Sequence, residues 1–165
     1  MSVDLMKPIE SSLYRIKNIL KADSEIRKLL YYTTEDALEK SEVSYTTIDD
    51  YISLFPIYNL NQEPYNKSNF ITINLIDFVP EEDDLYEGIL QITVISKNTD
   101  WQLKDNKIRV LRLAGLIQKL LNNQKFDASH KLNFISLKMV RMDEEYSGYN
   151  ILFEIYEGGG LENDF

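Results

Sequence analysis

FITINLIDFVPEEDDLYEGILQITVIS, residues 70–96, decides the fold class. In its first nine residues Ile71, Ile73 and Leu75 point one way while Thr72 and Asn74 point the other, the period-two alternation of a half-buried strand. Gly88–Ser96 repeats the pattern, with Leu90, Ile92 and Val94 opposed to Gln91 and Thr93. Pro80 and the acidic row Glu81, Glu82, Asp83 and Asp84 interrupt the alternation between them, so the two runs read as an antiparallel hairpin with a charged tip.

Downstream, a polar segment around Trp101 leads to Val110, Leu113, Ala114, Ile117, Leu120 and Leu121, which recur at helical spacing. Asp105 or Asn106 is the expected N-cap, and Lys107, Arg109, Arg112 and Lys119 are expected to stay free for solvent or a partner. Gly115 costs this helix about 1 kcal/mol relative to alanine, which suggests a close backbone neighbour. A second hairpin follows: Asn133–Met142 alternates through Ile135, Leu137 and Met139, and Tyr149–Tyr156 through Ile151, Phe153 and Ile155, with the turn at Asp143–Gly148.

Upstream, Ile9, Leu13, Ile16 and Leu20 mark an amphipathic helix over Pro8–Lys21, with Ser12, Arg15 and Lys17 on its outer side. Asp23 or Ser24 caps a shorter helix through Ile26, Leu29 and Leu30, ending near Thr33 and Thr34. Glu35–Gln62 is weakly patterned, although Thr47 can cap a turn carrying Ile48, Tyr51 and Ile52. The order α-α-β-β-α-β-β packs most simply as an α+β domain, residues 1–157, whose four-stranded, largely antiparallel sheet carries its helices on one face. Residues 158–165, GGGLENDF, read as a flexible acidic tail.

Composition narrows the function. The 165 residues suit one core, and 44% hydrophobic with 12% aromatic content is globular. No cysteine is present, which excludes disulfides, thiolate metal sites and cysteine nucleophiles. His130 is the only histidine; it reads as an exposed loop residue, and no second imidazole can join it at a metal. The acidic row lacks the alternating ligand spacing and central glycine of an EF-hand loop. Its adjacent carboxylates lack the cleft and contrasting environments that paired acid and base catalysis needs. The three glycines at 158–160 precede no helix and so cannot cradle a phosphate. No enzyme activity, cofactor or metal is expected. Twenty-seven acids against 18 bases repel nucleic acid in the absence of a gathered basic face. The N-terminal MSVDLMKPIESS has no basic-then-apolar leader, and no stretch approaches the length of a membrane span. The expectation is a protein kept in the cytosol or built into a particle there. Eleven tyrosines, among them Tyr146, Tyr149 and Tyr156, suit either a core or an interface, and Trp101 is either a plug over the core or an anchor for a partner.

One resemblance sharpens this. From Phe70 to Tyr156, the hairpin, the connection NTDWQLKDNKIRVLRLAGLIQKLLNN and the closing YSGYNILFEIY resemble the tail terminator or tail-completion proteins of long-tailed bacteriophages. The segment TDWQLKD before the helix carries most of the likeness. The resemblance implies a virion protein with no catalytic residues, assembled in the bacterial cytoplasm. It would form a homo-oligomeric, usually hexameric, ring between the tail tube protein and the head connector. The genome would pass through without specific binding. In such a ring Glu81, Glu82, Asp83 and Asp84 are candidates to line the channel, and Trp101, Tyr146, Tyr149 and Tyr156 to sit at subunit or partner contacts. The alternatives are a head-completion or connector-adaptor protein of the same neck, and a small non-enzymatic binding module.

Overall fold

The computed structural model describes residues 4, 6–55, 67–81 and 85–158. Helix α1 (Met6–Ala22) buries Ile9, Ile16 and Leu20 and carries Pro8 in its first turn, where a missing amide costs nothing. Ser12, expected on the outer side, is buried with them. Asp23 caps α2 (Ser24–Tyr31) by accepting from the Ile26 amide at 2.9 Å. A short 3-10 turn, Asp49–Tyr51, follows, flanked by buried Ile48 and Ile52. The Ser44 hydroxyl, not Thr47, receives an amide there, from Thr47 itself at 3.2 Å.

The sheet corrects the four-strand expectation. Its order is β1-β2-β3-β7-β6, and β1 (Ile52–Ser53) is a fifth strand, parallel to β2 and paired only with Ile71 and Thr72. The four long strands are antiparallel as expected: β2 (Asn69–Pro80), β3 (Tyr86–Lys97), β6 (His130–Arg141) and β7 (Tyr146–Glu157). β3 and β7 pair at the centre, joining the two hairpins, with Leu90 opposite Phe153 and Ile92 opposite Ile151.

Between the hairpins lies a ribbon that the sequence reading missed, β4 (Gln102–Leu103) against β5 (Lys107–Ile108). Asp105 and Asn106 form its turn, at φ 61° and 57°, and so do not cap the next helix. Asn and Asp tolerate this left-handed backbone better than other side chains do. Helix α3 (Arg109–Leu121) follows directly, with Ile108 in the N-cap position and no side-chain cap.

α3 packs on β3 and β7, α2 on β2, and α1 lies against both helices, so all three cover one face of the sheet. Ile71, Ile73, Leu90, Ile92, Val94, Ile151, Phe153 and Ile155 from the sheet meet Val110, Leu113, Ile117 and Leu121 of α3 in one core. Among the described residues the helix-free face keeps a small cluster, Phe70, Ile95 and Tyr146, with Val140 beside it. No helix among the described residues is long and apolar enough to cross a membrane.

Bulges interrupt both outer long strands, between Leu75 and Asp77 on β2 and between Phe134 and Ser136 on β6. The second resets the inward set of that strand: Leu132 and Phe134 face the helix side ahead of it, and Leu137 and Met139, opposite Ile151 and Tyr149, face that side beyond it as expected. Leu137 and Met139 are nonetheless exposed along the outer edge, as is Ile135 in the bulge itself, whereas Leu132, ahead of it, is buried.

Candidate functional site

The residues nominated from sequence do not gather at one place. Glu81 is exposed at the tip of the first hairpin, where its amide closes the turn on the Leu85 carbonyl at 2.8 Å; Glu82, Asp83 and Asp84 lie outside the described residues. Trp101 and Tyr149 come together, 6.2 Å between ring centroids, both half-buried against the core on the helix side. The indole donates to the Ser96 carbonyl at 3.4 Å. Tyr146 is buried on the helix-free face beside Phe70, its hydroxyl 3.5 Å from the Lys67 carbonyl, and burial raises its phenol above the usual range. Tyr156, half-buried at the other end of β7, alternates with Ile155 and so faces away from the helices. Gly158, first residue of the expected tail, is held by its amide to Ser129 at 2.9 Å; residues 159–165 lie outside the described residues.

Two polar clusters are interior. Arg109, expected to be free, is fully buried and donates to four carbonyls: Asp100 at 2.7 Å, Leu29 at 2.6 Å, Tyr32 at 2.7 Å and Thr34 at 2.9 Å. Burial lowers its pKa, yet the carbonyls at the end of α2 present the negative pole of that helix and the guanidinium matches them. It ties the start of α3 to the end of α2.

His130, expected on an exposed loop, begins β6 and is buried. The Tyr86 amide donates to its Nε2 at 3.3 Å, so Nδ1 holds the proton and donates to Asp127 at 2.8 Å. The Tyr86 ring stacks on the imidazole at 3.9 Å, and its hydroxyl donates to the same carboxylate. Burial would raise the Asp127 carboxyl, but donors from Tyr86, His130 and the Ser129 and His130 amides outweigh it and hold the pKa below the usual carboxylate value. Burial, and then that carboxylate, push the Tyr86 phenol far above its ordinary value. Every polar atom of the His130 and Asp127 side chains is engaged within the cluster, which fastens the start of β6 to β3. Asp127 and Asp100 are near neighbours in sequence of His130 and Arg109, but neither cluster is legible from its own stretch, because Tyr86 and the carbonyls of Leu29, Tyr32 and Thr34 are dozens of residues away.

The surface features are the helix-free face, the two outer strands and a groove beside α3. The first carries a shallow trench of uncharged polar groups, Thr72, Asn74, Gln91, Thr93 and Asn150, rimmed by Phe70, Ile95, Val140 and Met142. Within it Thr93 donates to Asn150 at 2.8 Å. The groove runs between Leu111 and Gly115 of α3 and Phe134 and Leu137 of β6. Gly115, expected to mark close approach, has open space where a Cβ would stand. Among the described residues no group of three or more histidine or acidic side chains is placed to hold a metal ion.

No curated protein matches the chain. A family model described as YomW matches residues 23–155, from the cap of α2 to the last buried residue of β7. The match spans both hairpins, all of α2 and α3, and the Arg109 and His130 clusters that join them. By that extent the chain belongs to the YomW family, a bacteriophage-derived family.

Proposed function

We propose that this chain is a structural protein of the phage particle and acts as a tail terminator: a ring, hexameric by the resemblance, at the head-proximal end of the tail tube, joining it to the head connector. The observation that carries this reading is the bare face of the sheet. Three helices cover one side, while among the described residues the other leaves Phe70, Ile95, Val140 and Met142 around an uncharged polar trench with no layer above them. A sheet face of that size and polarity suits contact with other subunits, where hydrogen-bonding amides and hydroxyls around apolar anchors give complementarity. It offers no convergent acid, base or nucleophile, and the role is non-catalytic.

Glu81 is exposed just past the end of β2, and the sequence places three more carboxylates directly after it. Facing a central channel, they form a hydrated anionic belt that keeps a passing duplex from adhering to the wall. The net charge of −9 supports the same role.

Deletion of the gene from its phage tests the reading. A terminator mutant should yield filled heads and separate tails of irregular length, with rings restored on the tail ends by added protein in electron micrographs. Tails of normal length on normal particles would exclude the role.

A further inference from the structure

The two outer edges of the sheet carry opposite charge. β6 bears Lys131, Lys138 and Arg141 and no acid along the strand, the acidic turn Asp143, Glu144 and Glu145 lying beyond its end. α3 beside it adds Lys119, its Arg112 being paired with Glu25 at 2.6 Å. At the other side β2 bears Asp77 and no cation, Glu81 follows it, and Asp50 precedes β1, its neighbour Asp49 being paired with Lys17 and Lys21. Among the described residues Lys131, Lys138, Arg141, Asp77 and Glu81 take part in no ion pair.

Among the described residues both edges are also covered over their first residues and open over the rest. On β6 the preceding loop supplies partners: Asn123 donates to the Leu132 carbonyl at 2.8 Å, Leu132 to Gln124 at 2.9 Å and Phe134 to the Asn122 side chain at 2.9 Å. Beyond the bulge, no described strand lies outside Ile135–Arg141. On β2 the short β1 pairs with Ile71 and Thr72, and no described strand lies outside 73–80. Apolar side chains stand on both open stretches: Ile135 is 47% and Met139 65% exposed on β6, Ile76 51% and Val79 52% on β2. A long open edge with exposed apolar residues is a template for another strand. A single sign of charge on each repels a like edge and attracts the unlike one.

We propose that the β6 edge of one copy pairs with the β2 edge of the next, head to tail, so that the sheet continues from subunit to subunit. The occupant of each edge is a second copy of this chain, selected by charge. Main-chain hydrogen bonds bind the strands. The two open stretches lie at opposite ends of the sheet within one subunit, so the next copy is shifted along the edge until they overlap. Lys138 and Arg141 against Asp77 and Glu81 fix which edges meet. The groove beside α3, kept open by Gly115, lies next to the incoming strand and receives its apolar side chains. Head-to-tail contacts of this kind close into a ring when the rotation per subunit divides a full turn. The inference rests on the ring reading and names its contact surfaces.

Charge exchange on the full chain, followed by analytical ultracentrifugation, tests it. Lys138→Glu with Arg141→Glu makes both edges acidic, and Asp77→Lys with Glu81→Lys makes both basic. Each double variant alone should sediment as a monomer with an unchanged thermal melt. The variant combining all four changes should assemble again, and so should an equimolar mixture of the two doubles. A second measurement uses the cysteine-free sequence. Oxidation of a chain carrying Met139→Cys and Val79→Cys should give a ladder of disulfide-linked multimers. The two positions are separated by several strand spacings of about 4.8 Å each, too far for an internal bridge. A wild type that stays monomeric overturns both the ring and this pairing. Rings that survive each double reversal, assembly not rescued by the fourfold variant, or oxidised dimers from Met139→Cys alone would leave the ring reading in place and overturn the edge pairing.

Discussion

Arg109 joins its four carbonyls through a planar fork that a lysine cannot imitate. Arg109→Lys leaves at least one buried carbonyl without a donor, at about 1 to 3 kcal/mol for each. Urea unfolding should show a loss of about 2 kcal/mol or more, a large share of an ordinary domain's stability. Asp127 makes a pH-dependent contribution. Its folded pKa is below the unfolded carboxylate value of about 3.9, so its stabilisation is complete above that value and is lost as pH falls through the lower folded one. The stability gap between wild type and Asp127→Asn should therefore be constant near neutrality and shrink below about pH 4, read from melts across pH. These clusters were the least legible residues. Arg109 sits in a run of cations at the start of a helix, and nothing nearby tells that carbonyls some 75 residues earlier will surround it.

At the scale of elements, the apolar stripe of α3 was legible, because Val110, Leu113, Ala114, Ile117 and Leu121 follow the helical period and are buried, with Leu120 half-buried beside them. Ile117→Ala should cost about 2 to 5 kcal/mol in chemical denaturation, while exposed Lys119→Ala should change stability little. Gly115→Ala meets open space and should stabilise the isolated subunit by up to about 1 kcal/mol, measurable as a raised melting temperature. Both hairpins were equally plain from their alternation. Three elements were not. β1 is two residues long and is defined by a parallel partner far along the chain. Asp105 and Asn106 suit a helix cap and a left-handed turn alike, so the β4-β5 ribbon was hidden. The β6 bulge shifts the alternation by one residue, an offset that polarity alone does not reveal. The open edges were invisible for the same reason, since an edge is a property of strand order.

For the whole molecule, assembly through oppositely charged edges should weaken with salt. The Debye length falls from about 10 Å at 0.1 M to about 3 Å at 1 M ionic strength, which screens exposed charges such as Lys138 and Asp77. Sedimentation from low to high sodium chloride should show the oligomer giving way to monomer; an oligomer indifferent to salt would mean that apolar contacts dominate. The central pairing of β3 with β7 has a further consequence in time. Ile92 waits for Ile151, roughly sixty residues later, and translation at about 5 to 20 residues per second makes that wait several seconds. Throughout it the nascent first hairpin offers the ribosome's surroundings a bare strand rich in isoleucine and valine, so the yield of native protein in an infected cell depends on chaperone capacity as well as on final stability.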